Sequence, residues 1–147
     1  MPVFAMRNRN GQVVAQVVNS TDAPTLQGII RKSVAPGSAI ATDNYGAYTG
    51  LGGLFPHKTV KHSAKQRVNG WACTNGIESV FAVLQRAFVG TFHWFSKKHT
   101  QHYLDGCTFR LNEGNCKYDT VDRLRALVNG VKGKRLTYKM LIHGIRP

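Results

Sequence analysis

Acidic side chains are scarce in this sequence of 147 residues. It contains 7 Asp and Glu against 20 Lys and Arg, so its formal net charge is +13 at pH 7. Such an excess of positive charge excludes an acidic or neutral surface and favours a polyanionic partner, with nucleic acid first among the candidates. Because there are only seven carboxylates, any carboxylate chemistry must draw on a short list of residues.

Cysteine and long apolar runs are also limited. The three cysteines, Cys73, Cys107 and Cys116, include no C-x-x-C pair. This pattern excludes a disulfide framework and a zinc ribbon and indicates a reducing compartment. No apolar run approaches the roughly 18 residues of a membrane span, and the first ten residues lack the apolar stretch of a signal peptide. The sequence therefore predicts a soluble, cytoplasmic protein.

The chain has enough apolar residues to build a hydrophobic core. Hydrophobic residues make up 42% of the sequence and aromatic residues 10%, so a disordered chain is not expected. There is no internal repeat, low-complexity tract or linker-like segment. We therefore expect one domain spanning 1–147.

The first half of the chain alternates strand and helix patterns. The order β-β-α-β-α-β predicts an α/β fold with a mixed sheet, in which Asp43 lies at the C-terminal end of the third strand and a short helix follows it. The predicted elements are a hairpin at 2–7 and 12–18, a helix beginning at Thr21 or Asp22, and strands at 38–42 and 57–62.

Four amphipathic patterns predict helices in the second half. The strongest begins at Thr74 or Asn75, after a polar stretch at 67–74 that we expect to be irregular. Its apolar stripe consists of Ile77, Val80, Phe81, Leu84 and Phe88. The other helices are expected at 96–112, with Tyr103, Leu104, Cys107 and Leu111 inward, at 119–130, with Val121, Leu124, Leu127 and Val128 inward, and from Thr137.

Asp43 and Glu78 are the best candidates for carboxylate chemistry. The carboxyl ends of strands in α/β sheets are where ligands gather, and Glu78 lies near the start of the strongest helix. Magnesium requires carboxylate oxygens that converge from separate elements. The spacing equally allows that Asp43 caps a turn and that Glu78 interacts with its helix dipole.

Local motifs around these residues resemble a known enzyme family. The runs ATDNYGAY, VKHS, VNG, TNGIESVFAVLQRAF, GTFHWFSKKHTQHYLDGCTFRLN and GKRLTY occur in this order, as in ISXO-like insertion-sequence transposases, which are DDE enzymes. The resemblance implies a ribonuclease-H-like, integrase-like fold in which three acids hold two Mg²⁺ or Mn²⁺ ions. It identifies Asp43 as the second acid, Glu78 as the third, and Asn75 as the asparagine that accompanies Glu78.

The sequence departs from this family pattern at three positions. Residues 1–21 contain no Asp or Glu, so the first acid and the central strand that carries it are missing, and we expect an N-terminally truncated domain. Such a gap would expose strand edges and cause marginal stability, collapse, or pairing with another chain. Gln85 occupies the position of a family lysine, and Cys73 that of a family histidine.

The resemblance implies Mg²⁺-dependent DNA strand cleavage and transfer during transposition. The partners implied are insertion-sequence ends and target DNA, in a homo-oligomer associated with the bacterial nucleoid. With two acids in place of three, we expect little or no activity from this chain. The alternative is a catalytically inactive, DNA-binding transposase remnant. An RNA-binding module has no supporting motif.

Basic residues supply candidate DNA contacts. The segment HWFSKKHTQH combines aromatic and basic residues at a helix start, which suits phosphate binding. The alternative is that Trp94 and Phe95 belong to the core and that the lysines are merely solvated. A zinc site at His99 and His102 is rejected because no third ligand is near them in sequence. The candidate contacts are Arg86, Lys97, Lys98, His99, Lys132, Lys134 and Arg135.

Overall fold

Two strands at the start of the chain form an antiparallel hairpin in the computed structural model, which describes residues 1–61, 68–114, 119–135 and 137–143. Strand β1 (Val3–Arg7) pairs with β2 (Val13–Val17), with Val3 opposite Val17. Gly11 adopts a φ of 94° in the connecting turn, a conformation that favours glycine. The predicted hairpin is confirmed.

A helix and a parallel strand pair follow the hairpin. Helix α1 (Ala23–Ser33) begins after Asp22, whose carboxylate accepts the backbone N–H of Thr25. Strand β3 (Ile40–Asp43) pairs in parallel with β4 (His57–Val60), and two short 3₁₀ turns lie between these strands. These elements confirm the prediction, and Asp43 is the last residue of β3. His62, where β4 was predicted to end, lies outside the described residues.

The stretch expected to be irregular contains a small hairpin. Strands β5 (Val68–Asn69) and β6 (Ala72–Cys73) pair antiparallel across a two-residue turn. The expectation was wrong because Gly70, with a φ of 62°, permits a tight turn that β propensity alone does not indicate. Arg67, the first residue of that stretch, lies outside the described residues.

Helix α2 (Asn75–Arg86) confirms the strongest helical pattern. Val80 and Leu84 are buried, and Ile77 packs against them. Phe81 and Phe88 were predicted to be core residues, but they are 41% and 38% exposed. The helix is followed by a π-helical turn (Ala87–Phe92), whose wider winding shifts the helical register that the prediction assumed for Phe88.

Three further helices complete the described chain. Helix α3 (Thr100–Glu113) begins four residues later than predicted and buries Leu104 and Cys107. Helices α4 (Thr120–Val131) and α5 (Tyr138–His143) follow it. The apolar stripe of α4 is exposed, contrary to the prediction, because no described element covers it. Its residues are Val121, Leu124, Leu127 and Val128, which are 48%, 57%, 48% and 62% exposed.

The hairpin lies between two hydrophobic clusters, one on each of its faces. Side chains of even-numbered strand residues face α1, and those of odd-numbered residues face α2 and α3, as the alternation of a strand requires. The first cluster consists of Phe4, Val18, Leu26, Ile30, Ala47, Leu51 and Phe55, with Met6 and Ile40 packed against it. The second consists of Val13, Val80, Leu84, Leu104 and Cys107, with Val3 and Val17 packed against it.

The α/β class is confirmed, although the strands do not form one mixed sheet. In the described ranges they form three separate two-stranded sheets, and β1 is not hydrogen-bonded to β3. The hairpin and the parallel pair are instead held together by side chains, since Phe4 and Ile40 contact the same cluster beneath α1. None of the helices in the described part of the chain is long and apolar enough to span a lipid bilayer.

Candidate active site

Asp43 ends β3 with its side chain exposed to solvent. One carboxylate oxygen, Oδ1, accepts the backbone N–H of Tyr45 at 3.2 Å, which fixes the turn after the strand. The backbone carbonyl of Asp43 accepts the hydroxyl of Thr42 at 2.8 Å. The turn contact is the one that the capping alternative predicts, and it holds the carboxylate at the carboxyl end of the strand.

Two partly buried rings lie near this carboxylate. Burial, followed by the negative charges of Asp43 and Tyr45, raises the pKa of Tyr48 to about 12. The ring nitrogen Nε2 of His57 lies 2.9 Å from the Thr42 hydroxyl, and burial lowers the pKa of His57. Because the Thr42 hydroxyl proton is donated to the Asp43 carbonyl, Nε2 of His57 acts as the donor to Thr42.

Glu78 lies in the first turn of α2 and is held by the residue that precedes the helix. The buried hydroxyl of Thr74 donates to Glu78 Oε1 at 2.7 Å. The Thr74 carbonyl accepts the backbone N–H groups of Ile77 and Glu78, both at 3.1 Å. The prediction identified Thr74 only as a possible cap. Its side chain instead orients the candidate acid.

The elements that carry the two acids are neighbours. Strand β6 packs beside β3, the strand that Asp43 ends, and it leads through Thr74 directly into α2. Asp43 and Glu78 therefore come from segments that are neighbours in the fold. Among the described residues, no third His, Cys, Asp or Glu joins them in a cluster able to hold a metal.

The other predicted site residues lie at several places along the chain. Asn75 begins α2, and Gln85 is exposed near its end. The predicted DNA contacts lie at the end of α2, before α3 and after α4. Among them Arg86, Lys97, Lys98, Lys132, Lys134 and Arg135 are exposed, and His99 is half-buried.

Trp94 and Phe95 differ in their surroundings. Phe95 stacks on Tyr103 with ring centroids 4.5 Å apart and also contacts Phe88 and Phe92. It therefore belongs to an aromatic cluster. Trp94 is 67% exposed, and it remains available for a surface contact.

Five residues near the site were not among the predicted site residues. The guanidinium of Arg7 lies over Gly76, where an added Cβ would overlap it. Arg9 donates to the backbone carbonyl of Trp71 at 3.1 Å, and Lys58 lies 5.6 Å from the centre of the Trp71 ring. Gly76 in TNGIE was the available sequence signal, since glycine in a helix indicates close approach by another group.

Comparisons with known proteins show the family of the chain. Residues 1–112 match the family model described as the ISXO2-like transposase domain. An uncharacterised transposase-like protein of Haemophilus influenzae is 31% identical over 120 residues, which are 81% of this chain and 95% of that protein. No solved structure matches the chain significantly. The family match covers both candidate acids and ends at the last turn of α3, and the chain belongs to the ISXO2-like transposase family.

Proposed function

We propose that this chain is the catalytic domain of a DDE transposase that cleaves and transfers DNA strands at insertion-sequence ends. The observation that carries the proposal is the placement of Asp43 and Glu78, at the end of β3 and the start of α2, on neighbouring segments. Membership of the transposase family supplies the class of reaction. Joining two ends of an element would involve more than one copy of the chain.

Asp43 and Glu78 are suitable ligands for a hard divalent cation. Carboxylate oxygens are the donors that Mg²⁺ and Mn²⁺ prefer. Both side chains are already oriented, Asp43 by the N–H of Tyr45 and Glu78 by the hydroxyl of Thr74. When bound, the ions supply charge neutralisation at the phosphodiester and a lower pKa for the attacking hydroxyl group.

The remaining site residues act on the DNA rather than on the ions. Asn75 begins the helix that carries Glu78 and lies one turn before it. Gln85, on the same helix, hydrogen-bonds a phosphate oxygen but does not neutralise its charge, as a lysine would. We therefore expect weaker electrostatic binding of the DNA backbone at this position than in relatives that carry lysine.

The hydrogen-bond directions of the strands support a place for a strand that would carry the first acid of the triad. The bond from Ile40 N–H to the Pro56 carbonyl shows that Ile40 faces β4, so Ala41 and Asp43 face the other way. By the same alternation, the backbone groups of Val3 and Ala5 face away from β2. Within the described residues, the backbone groups of Val3, Ala5 and Ala41 have no partner.

The outer edges of β2 and β4, on the far sides of the two strand pairs, already have hydrogen-bond partners. Asn112 and Gln101 of α3 bond the outer edge of β2, and Asn69 donates to the Thr59 carbonyl on the outer edge of β4. The open edges belong to β1 and β3, which pack against one cluster beneath α1. We infer that a further strand between them carries the first carboxylate of the triad.

The proposal is tested by DNA nicking and strand transfer with Mg²⁺. The chain is assayed alone and with an N-terminal designed strand that ends in aspartate, and a strand ending in asparagine is the matched control. Activity is expected with the aspartate strand and not with the asparagine strand. Glu78→Gln and Asp43→Asn should each abolish it, whereas Asp122→Asn, on the exposed face of α4, should not. Activity that survives Glu78→Gln would overturn the proposal.

A further inference from the structure

Two cations contact one tryptophan at the edge of the candidate site, and a third cation lies over the start of α2. Arg9 reaches from the β1–β2 turn to the Trp71 carbonyl, at 3.1 Å. Lys58 of β4 lies 5.6 Å from the centre of the Trp71 ring, a cation–π distance. Arg7, at the end of β1, lies over Gly76. We call these four residues, Arg7, Arg9, Lys58 and Trp71, the basic rim.

None of the three cations has an acidic partner among the described residues. All three are exposed, and Trp71 is 38% exposed. Like charges that are brought together without a compensating carboxylate repel one another, and a bound polyanion relieves that repulsion. The contacts of Arg9 and Lys58 with Trp71 hold these side chains in place instead of leaving them extended in solvent.

The basic rim borders the candidate acids. Trp71 precedes β6, which packs beside β3 and leads into α2. Gly76, over which Arg7 lies, is in the first turn of α2 and two residues before Glu78. A strand of DNA bound at the first turn of α2 would therefore pass within reach of Arg7, and its neighbouring phosphates would approach Arg9 and Lys58.

We propose that the basic rim binds the phosphodiester backbone of the DNA strand next to the candidate acids. Arginine suits this role because its planar guanidinium pairs with two phosphate oxygens at once. The inference rests on the proposed function for the identity of the polyanion as DNA. It adds Arg7 and Arg9 to the basic residues predicted from the sequence.

The DNA affinity of two double variants, each lacking two positive charges, tests the basic rim. It is measured by fluorescence anisotropy with a short fluorescein-labelled DNA. Arg7→Gln/Arg9→Gln removes two rim charges, and Arg31→Gln/Lys32→Gln removes two exposed charges from the last turn of α1. The rim variant should reduce the salt slope of binding by about two and weaken binding about tenfold more than the α1 variant. Equal losses in the two variants would overturn the proposal.

A second comparison leaves the net charge unchanged. In Gly76→Ala the new Cβ must displace the guanidinium of Arg7, whereas a Cβ at Gly106 of α3 meets nothing within 4 Å. DNA binding should weaken several-fold in Gly76→Ala and stay unchanged in Gly106→Ala. Unchanged binding in both variants would contradict a role for Arg7.

Tryptophan fluorescence locates the DNA without changing any charge. The chain contains two tryptophans, Trp71 and Trp94, so Trp94→Phe leaves Trp71 as the only indole. DNA should then quench its emission, and no quenching would count against the rim. If Glu78→Gln abolishes cleavage while the rim variants bind DNA as tightly as the native chain, the role of the basic rim is rejected and the proposed function stands. Rim-dependent binding without any cleavage, even with the aspartate strand, would reject the proposed function alone.

Discussion

The amide of Asn112 closes the outer edge of β2 at Val13, 99 residues earlier in the chain. Its Oδ1 accepts the Val13 N–H at 2.7 Å, and its Nδ2 donates to the Val13 carbonyl at 2.9 Å. The side chain thus satisfies both backbone groups as a neighbouring strand would. Gln101 does the same further along β2, with bonds to Val17 N–H and the Ala15 carbonyl.

Asn112→Ala should lower the stability of the fold. The substitution leaves two part-buried backbone groups of Val13 without partners, at a cost of about 2 kcal/mol in the free energy of unfolding. Asn19→Ala, an exposed asparagine beyond the end of β2, is the control and should change little. Urea denaturation followed by circular dichroism measures both. Equal stability of the two variants would show that the Asn112 bonds contribute nothing.

These edge contacts show what the sequence could and could not predict. The hairpin, the positions of β3 and β4, and α2 follow from local patterns, so strand alternation and helical spacing were sufficient to predict them. The bonds from Asn112 to Val13 join residues 99 positions apart, and no local pattern encodes such a partner. The same limit explains why the contact between Arg7 and Gly76 was missed.

For α4 the sequence predicted a buried apolar stripe that the structure shows to be exposed. The pattern of Val121, Leu124 and Val128 is amphipathic, and it correctly predicted a helix. It could not predict burial, because burial depends on a second surface that local spacing does not specify. For the candidate site, the sequence was enough to propose Asp43 and Glu78 as the acids. The hydrogen bond from Thr74 that orients Glu78 could be found only in the structure.

Thr74→Val should weaken Mg²⁺ binding without removing a ligand. The valine keeps the shape of the side chain but cannot donate to Glu78 Oε1, the contact that measures 2.7 Å in the native chain. Loss of a hydrogen bond that orients a metal ligand typically weakens binding by about tenfold. Calorimetric titration with MgCl₂ measures the change.

Thr74→Ser is the matched control for this prediction. It restores the hydroxyl and should return Mg²⁺ affinity to near the native value. If Thr74 acted through packing alone, the valine and serine variants would lose Mg²⁺ affinity to the same extent. Thermal melting of both proteins separates the two effects, since Thr74 is buried. Weak binding by the serine variant would contradict the positioning role of Thr74.

Asp43→Asn should lower the pKa of Tyr48. Burial is the main cause that raises this pKa to about 12, and the charges of Asp43 and Tyr45 add to it. Removing the carboxylate charge removes one contribution and leaves the burial, so the pKa should fall but stay above 10.0, its ordinary value. NMR titration of ring-labelled tyrosine, assigned with Tyr48→Phe, measures it. Asp22→Asn, at the start of α1, should leave the Tyr48 resonance unchanged.

Stability should decline in mildly acidic solution because of His57. Burial lowers the pKa of this histidine in the folded chain below 6.5, its ordinary value. The unfolded chain then binds a proton at a pH where the folded chain does not. The contribution of His57 to the free energy of unfolding is therefore fully present above pH 6.5 and is lost as the pH falls through the lowered pKa. Thermal melting across this range should show the decline in the native chain and a smaller one in His57→Gln. As a control, His102→Gln removes an exposed histidine and should melt like the native chain at each pH. If the melting temperature of His57→Gln declines as much as that of the native chain, the acid sensitivity belongs to other groups.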